Sequence, residues 1–127
     1  MNLEYEKGGG TACGMNAYAD RSDASTLQAL DRVMTEVAEW IESEAGVFLG
    51  HVKMAVIAGP RTVTLNLTSL EMGVDHHGSL PGGVPVEIKF MAAVLDVDHD
   101  ELSERMKNAL RSEGFRIKEN RKVIELR

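Results

Sequence analysis

The chain has 127 residues, 43% of them hydrophobic and 27% charged, with 20 acidic against 14 basic side chains and a formal net charge of −6. That length suits one domain with a real core, and that composition excludes disorder along the whole chain. The acidic balance repels a phosphate backbone, so no nucleic-acid partner is expected. "RIKENRK" near the C-terminus is the one basic cluster, and it reads as a solvated hairpin. No apolar run approaches the roughly 20 residues needed to cross a bilayer, so no membrane partner is expected. The N-terminus, "MNLEYEKGGG", lacks the apolar core of a signal peptide, and the single cysteine, Cys13, has no partner within the chain. A reducing cytoplasm is the expected setting.

Residues 1–22 read as a flexible or irregular lead-in, because Gly8, Gly9 and Gly10 suit neither a helix nor a strand interior. Leu3 and Tyr5 allow a short edge strand within it. "GGGTACG" places Gly9 and Gly14 at the spacing of phosphate-binding glycines, but Met15 and Asn16 stand where lysine and Ser or Thr are needed. Cys13, between small residues, is a candidate exposed thiol. It has no identifiable base to form a thiolate, so an incidental cysteine is the simpler reading.

Residues 23–127 read as a single α+β domain. Its first element is an amphipathic helix, capped by Ser22 or Asp23. Leu27, Leu30, Val33, Met34, Val37, Trp40 and Ile41 repeat at helical spacing, and Gly46 is a stop signal. The period then becomes two. Val52, Met54 and Val56, then Val63, Leu65 and Leu67, alternate with polar residues on either side of a Gly59-Pro60 turn. This predicts a half-buried antiparallel hairpin.

A further strand is predicted from Val84 or Val86 to Leu95. Val86, Ile88, Phe90, Ala92 and Val94 share one face; Met91, Ala93 and Leu95 make the second half apolar on the other face too. Burial of both faces there implies a covering partner, so a homo-oligomer is expected. "DVDHDE" then starts a second helix. Asp96, Asp98 and Asp100 resemble the opening of a calcium loop, but Glu101 and Lys107 occupy positions where glycine and glutamate are required. Reciprocal capping between Asp98 and Glu101 explains these acids better. Leu102, Met106, Ala109 and Leu110 form the apolar face, and Gly114 ends the helix. "FRI" and "VIEL" predict a closing hairpin bent at Asn120.

The expected order is therefore α-β-β-β-α-β-β. It gives a mainly antiparallel sheet of about 4–5 strands, with two helices packed on one face. The opposite face, rich in Thr, Lys and Asn, is either solvated or a docking surface. Met34, Met54 and Met106 read as core filler, whereas Met72 and Met91 could line an adaptable contact surface.

The strongest candidate site is the loop "GVDHHGSLPGG", residues 73–83. Connections of about fifteen residues between strands are often functional. Adjacent histidines on extended chain point to opposite sides, so His76 and His77 do not chelate one ion as a simple pair. Asp75 and His77 share a side, and His51 approaches from another strand. Asp75, His77 and His51, or His76 with His51, form a chemically possible site for zinc or another divalent transition metal. The spacing matches no established metal or catalytic motif, and a polar surface loop explains it as simply. A histidine acting as general base is a further reading. The function expected from sequence is a small non-enzymatic binding, regulatory or accessory module, with no cofactor and with a protein or small-molecule partner. The alternative is a metal-binding protein or metal-dependent enzyme using the histidine loop.

Overall fold

The computed structural model describes residues 10–118. They form, in chain order, β1 (Gly10–Ala19), α1 (Thr26–Ala45), β2 (Gly50–Ala58), β3 (Arg61–Leu67), β4 (Asp75–His77), β5 (Val86–Leu95), α2 (His99–Ser112) and β6 (Arg116–Lys118). The fold is α+β, as the periodicities predict. Its sheet has six strands in the order β4-β3-β2-β5-β1-β6, all antiparallel to their neighbours, rather than four or five. Each helix connects two strands that flank a strand from elsewhere in the chain. β5 lies between β2 and β1, and β1 lies between β5 and β6, so two β-α-β units interlock. β3 and β4 extend the sheet beyond β2.

The core lies between one sheet face and the two helices. Val52, Met54, Val56 and Ala58 of β2, Val63, Leu65 and Leu67 of β3, and Val86, Ile88, Phe90, Ala92 and Val94 of β5 all point into it. α1 contributes Leu30, Val33, Met34, Val37 and Ile41; α2 contributes Leu102, Met106, Ala109 and Leu110. These match the apolar faces legible in the sequence. Met34, Met54 and Met106 are fully buried. Arg32 bridges the helices by donating from Nε and Nη2 to Glu113 at 3.0 and 2.9 Å. Hydrogen bonding and charge from that guanidinium hold the Glu113 carboxyl below its ordinary range.

The segment expected to be an irregular lead-in contains a strand in the interior of the sheet. β1 pairs with β5 along its whole length, from Gly10 opposite Leu95 to Ala19 opposite Val86. Its inward residues, Thr11, Cys13, Met15, Ala17 and Ala19, alternate with Gly10, Ala12, Gly14, Asn16 and Tyr18 on the open face. Ladder hydrogen bonds from β5, and from β6 at Asn16–Tyr18, outweigh the weak strand preference of glycine. A nucleotide-binding turn at "GGGTACG" is thereby ruled out for residues 10–14, which are extended strand. Leu3 and Tyr5, and the returning strand expected at "VIEL", lie outside the described residues.

The helix termini follow local chemistry. Ser25, not Ser22 or Asp23, is the N-cap of α1, and its side chain makes no cap bond. Asp23 instead accepts from the Ser25 backbone N–H at 2.8 Å and from its hydroxyl at 2.7 Å. Those bonds hold the Asp23 carboxyl below its ordinary range. Ser22 is buried and ties the β1–α1 connection to the end of the histidine loop. Its N–H donates to Val84 O at 2.7 Å, and its carbonyl accepts from Gly83 N–H at 2.8 Å.

Asp98 caps α2, accepting from Glu101 N–H at 3.0 Å; only this arm of the expected reciprocal pair forms among the described residues. Asp98→Ala should cost about 1 kcal/mol, the usual worth of such a cap. A urea-denaturation midpoint that does not move would contradict this assignment.

Candidate functional site

β4 is a three-residue edge strand inside the loop predicted to carry the site. Its register on β3 places His77 opposite Thr64, His76 opposite Leu65 and Asp75 opposite Asn66. Extended backbone therefore sends the two histidines to opposite faces, as their adjacency predicts. His76 turns toward the helices, and its Nε2 lies 2.6 Å from Asp31 Oδ1 on α1. It acts as a tie between the edge strand and the helix layer. His77 lies on the open face with its Nε2 3.1 Å from Asp75 Oδ2. His51, at the start of β2, shares that face, and its Nε2 lies 3.1 Å from Asn66 Oδ1.

His51 and Asp75 line one shallow depression of about 470 Å³, together with Asn66, Thr68, Met72, Gly73 and Val74. The structure thus brings His51, Asp75 and His77 to one face and separates His76 from them. Among the described residues, no three His, Cys, Asp or Glu side chains converge closely enough to hold a metal ion. Cys13 points to the helix side, partly buried against the core, and its thiol is free. His99 lies in the first turn of α2, exposed and beside Asp100.

The open face of the sheet carries a second feature. At the end where β1 starts and β5 finishes, Gly10 lies opposite Leu95, Ala12 opposite Ala93, and Gly14 opposite Met91. On the far side of β5, Lys53 lies opposite Met91 and His51 opposite Ala93. These small residues form the floor of a trough. One depression of about 530 Å³ is lined by Gly10, Ala12, Leu49, Gly50, Ala93 and Leu95. A neighbouring one of about 390 Å³ shares Ala12 and Ala93 and reaches Gly14, His51, Lys53 and Met91. Leu49, Met91 and Leu95 are 49%, 48% and 37% exposed, among the few large apolar side chains the fold leaves in solvent.

The apolar second half of β5 was legible in the sequence, and among the described residues one of its two faces is uncovered. The part played by Gly10, Ala12 and Gly14 was not legible. Their alternation with Thr11, Cys13 and Met15 is a period-two signal, but glycine and alanine carry too little hydrophobic contrast to mark it.

Toward the other end the face is polar. Arg116 stacks over Tyr18, 4.8 Å from the ring centroid, and pairs with Asp20 at 2.6 Å. Lys118 lies 3.5 Å from Glu87. Lys53 and Lys89 form no ion pair among the described residues. α1 carries Asp31, Glu36, Glu39, Glu42 and Glu44 against the single base Arg32. The acidic excess of the chain is thus concentrated on the helix layer, and the open sheet face is basic. No helix among the described residues is long and apolar enough to cross a membrane. Compared with known proteins, the chain matches no family model, no curated protein and no solved structure.

Proposed function

We propose that this protein is a small, non-catalytic binding or accessory module that works as a homo-oligomer, with the open sheet face as its contact surface. The observation that carries this reading is the uncovered apolar end of that face, where Leu49, Met91 and Leu95 surround Ala12 and Ala93. Strand spacing and rise give the apolar end about 300 Å² and the whole face about 700 Å². A standard stable interface takes about 800 Å² from each partner, so the whole face, not the apolar end alone, is of the size a second copy needs. The histidine loop then serves as an edge: His76 fastens β4 to α1, and β4 protects Thr64–Asn66 of β3 from pairing with other chains. A cytoplasmic setting fits the lone thiol.

A second reading keeps some support because His51, Asp75 and His77 share a face. The register sets His77 level with Ala55, four residues along β2 from His51, so a divalent metal held by all three requires a large rearrangement of the 73–83 loop. Native mass spectrometry with elemental analysis, on protein purified without chelator or affinity metal, separates the two. The oligomer reading predicts a multiple of the 13.9 kDa chain mass with no stoichiometric metal. Stoichiometric metal that disappears in His77→Ala would overturn it in favour of the metal site.

A further inference from the structure

We propose that the trough over β1 and β5 is half of a ligand chamber that a second copy completes, and that its ligand is a hydrocarbon chain ending in a carboxylate. The proposal rests on the face-to-face assembly described above. Sheets pack about 10 Å apart when side chains of ordinary size fill the space between them. Gly10, Ala12, Gly14 and Ala93 cannot fill it. Two such faces pressed together enclose an apolar void, with Leu49, Met91 and Leu95 as its walls. An empty void forfeits the dispersion contacts of its lining, so an apolar occupant is favoured.

Charge selects the head group. Lys53 stands opposite Met91, and Lys89 is the next residue but one along β5 on the same face. They are diagonal neighbours on adjacent strands, and neither is paired with an acid among the described residues. Apposed symmetric faces gather four such ammonium groups at one interface. Unpaired charges removed from water oppose association. An anionic group at the Lys53 end of the trough removes that repulsion and gains charge-assisted hydrogen bonds. His51, also lining this end, offers a further ring nitrogen to the head group.

The test is calorimetric titration of the full-length protein with decanoate and, separately, with decanol, alongside sedimentation of the same samples. Decanoate should bind the assembled protein and tighten its association. Decanol, with the same chain and no charge, should bind several-fold more weakly. The double substitution K53Q/K89Q should weaken decanoate binding roughly fivefold, the scale of partly exposed ion pairs, and abolish the preference over decanol. It should leave the protein assembled. Equal affinity for the two chains, or decanoate binding unchanged by K53Q/K89Q, would overturn the head-group assignment. An assembled protein that ignores decanoate overturns the chamber alone. A protein that remains monomeric overturns the assembly and the chamber with it.

Discussion

Phe90→Ala should destabilise the protein by about 3–5 kcal/mol, the range for truncating a fully buried phenylalanine. Phe90 sits at the middle of β5 with no solvent exposure, opposite Met15 of β1 on one side and Met54 of β2 on the other. It is the largest of the fully buried side chains, at the point where the two interlocked β-α-β units meet. Neighbouring strands hold the backbone in place, so the site cannot collapse around the space left behind. The cost therefore includes a cavity as well as lost transfer energy. Domains of this size have a total stability of about 5–15 kcal/mol, so much of the margin would go. Lys89, one residue earlier, points to the open face, and Lys89→Ala should change stability by no more than about 0.5 kcal/mol. Urea denaturation of both variants checks the inside-outside assignment of β5. Equal losses at the two positions would contradict it.

Gly50→Ala should cost about 3 kcal/mol or more, although it adds one methyl group at an exposed position. Gly50 opens β2 opposite Val94 with φ +142°, a conformation that side-chain-bearing residues rarely adopt. A Cβ built there would run into the carbonyl oxygen of Ala93 and would lie 2.7 Å from Val94 Cα. Both obstacles are backbone atoms of the central strand and cannot rotate away. Gly10 supplies the comparison. It lies on the open face opposite Leu95 with nothing within 4 Å of a built Cβ, so Gly10→Ala should be tolerated within about 0.5 kcal/mol. Denaturation midpoints of the pair test whether β2 lies this tightly on β5. A tolerated Gly50→Ala would mean that it does not.

The elements legible in the sequence are those whose local pattern and tertiary environment agree. α1, α2 and the β2–β3 hairpin each carry a long periodic stripe with a breaker at its end. Gly46, at φ +88°, and Gly114, at φ +91°, end their helices in the left-handed conformation that favours glycine. β1 and β4 were not legible, for different reasons. β1 is held by ladders on both sides, so partners distant in sequence override its poor intrinsic preference. β4 has three residues and exists only because β3 offers an edge.

The candidate histidines divide in the same way. That His76 and His77 face apart follows from extended geometry alone. That His76 meets Asp31 and His51 meets Asn66 depends on packing between distant elements, which no local pattern encodes. Cys13 is partly buried for the same reason: β1 turns it toward the helices. The expectation of burial on both faces of β5 is the one that leads to the proposed function, because among the described residues only one of those faces is covered.

Sedimentation equilibrium over a wide concentration range, on the intact protein and on Met91→Lys, tests that conclusion most directly. Met91 is about half exposed, so the substitution should leave the folded chain intact while placing a third ammonium beside Lys53 and Lys89 on the contact face. The intact protein should sediment at a multiple of 13.9 kDa and Met91→Lys at 13.9 kDa, whereas Glu39→Lys on the helix layer should behave as the intact protein does. An intact protein that sediments as a monomer throughout, or a Met91→Lys variant that still associates, would contradict the open sheet face as the contact surface.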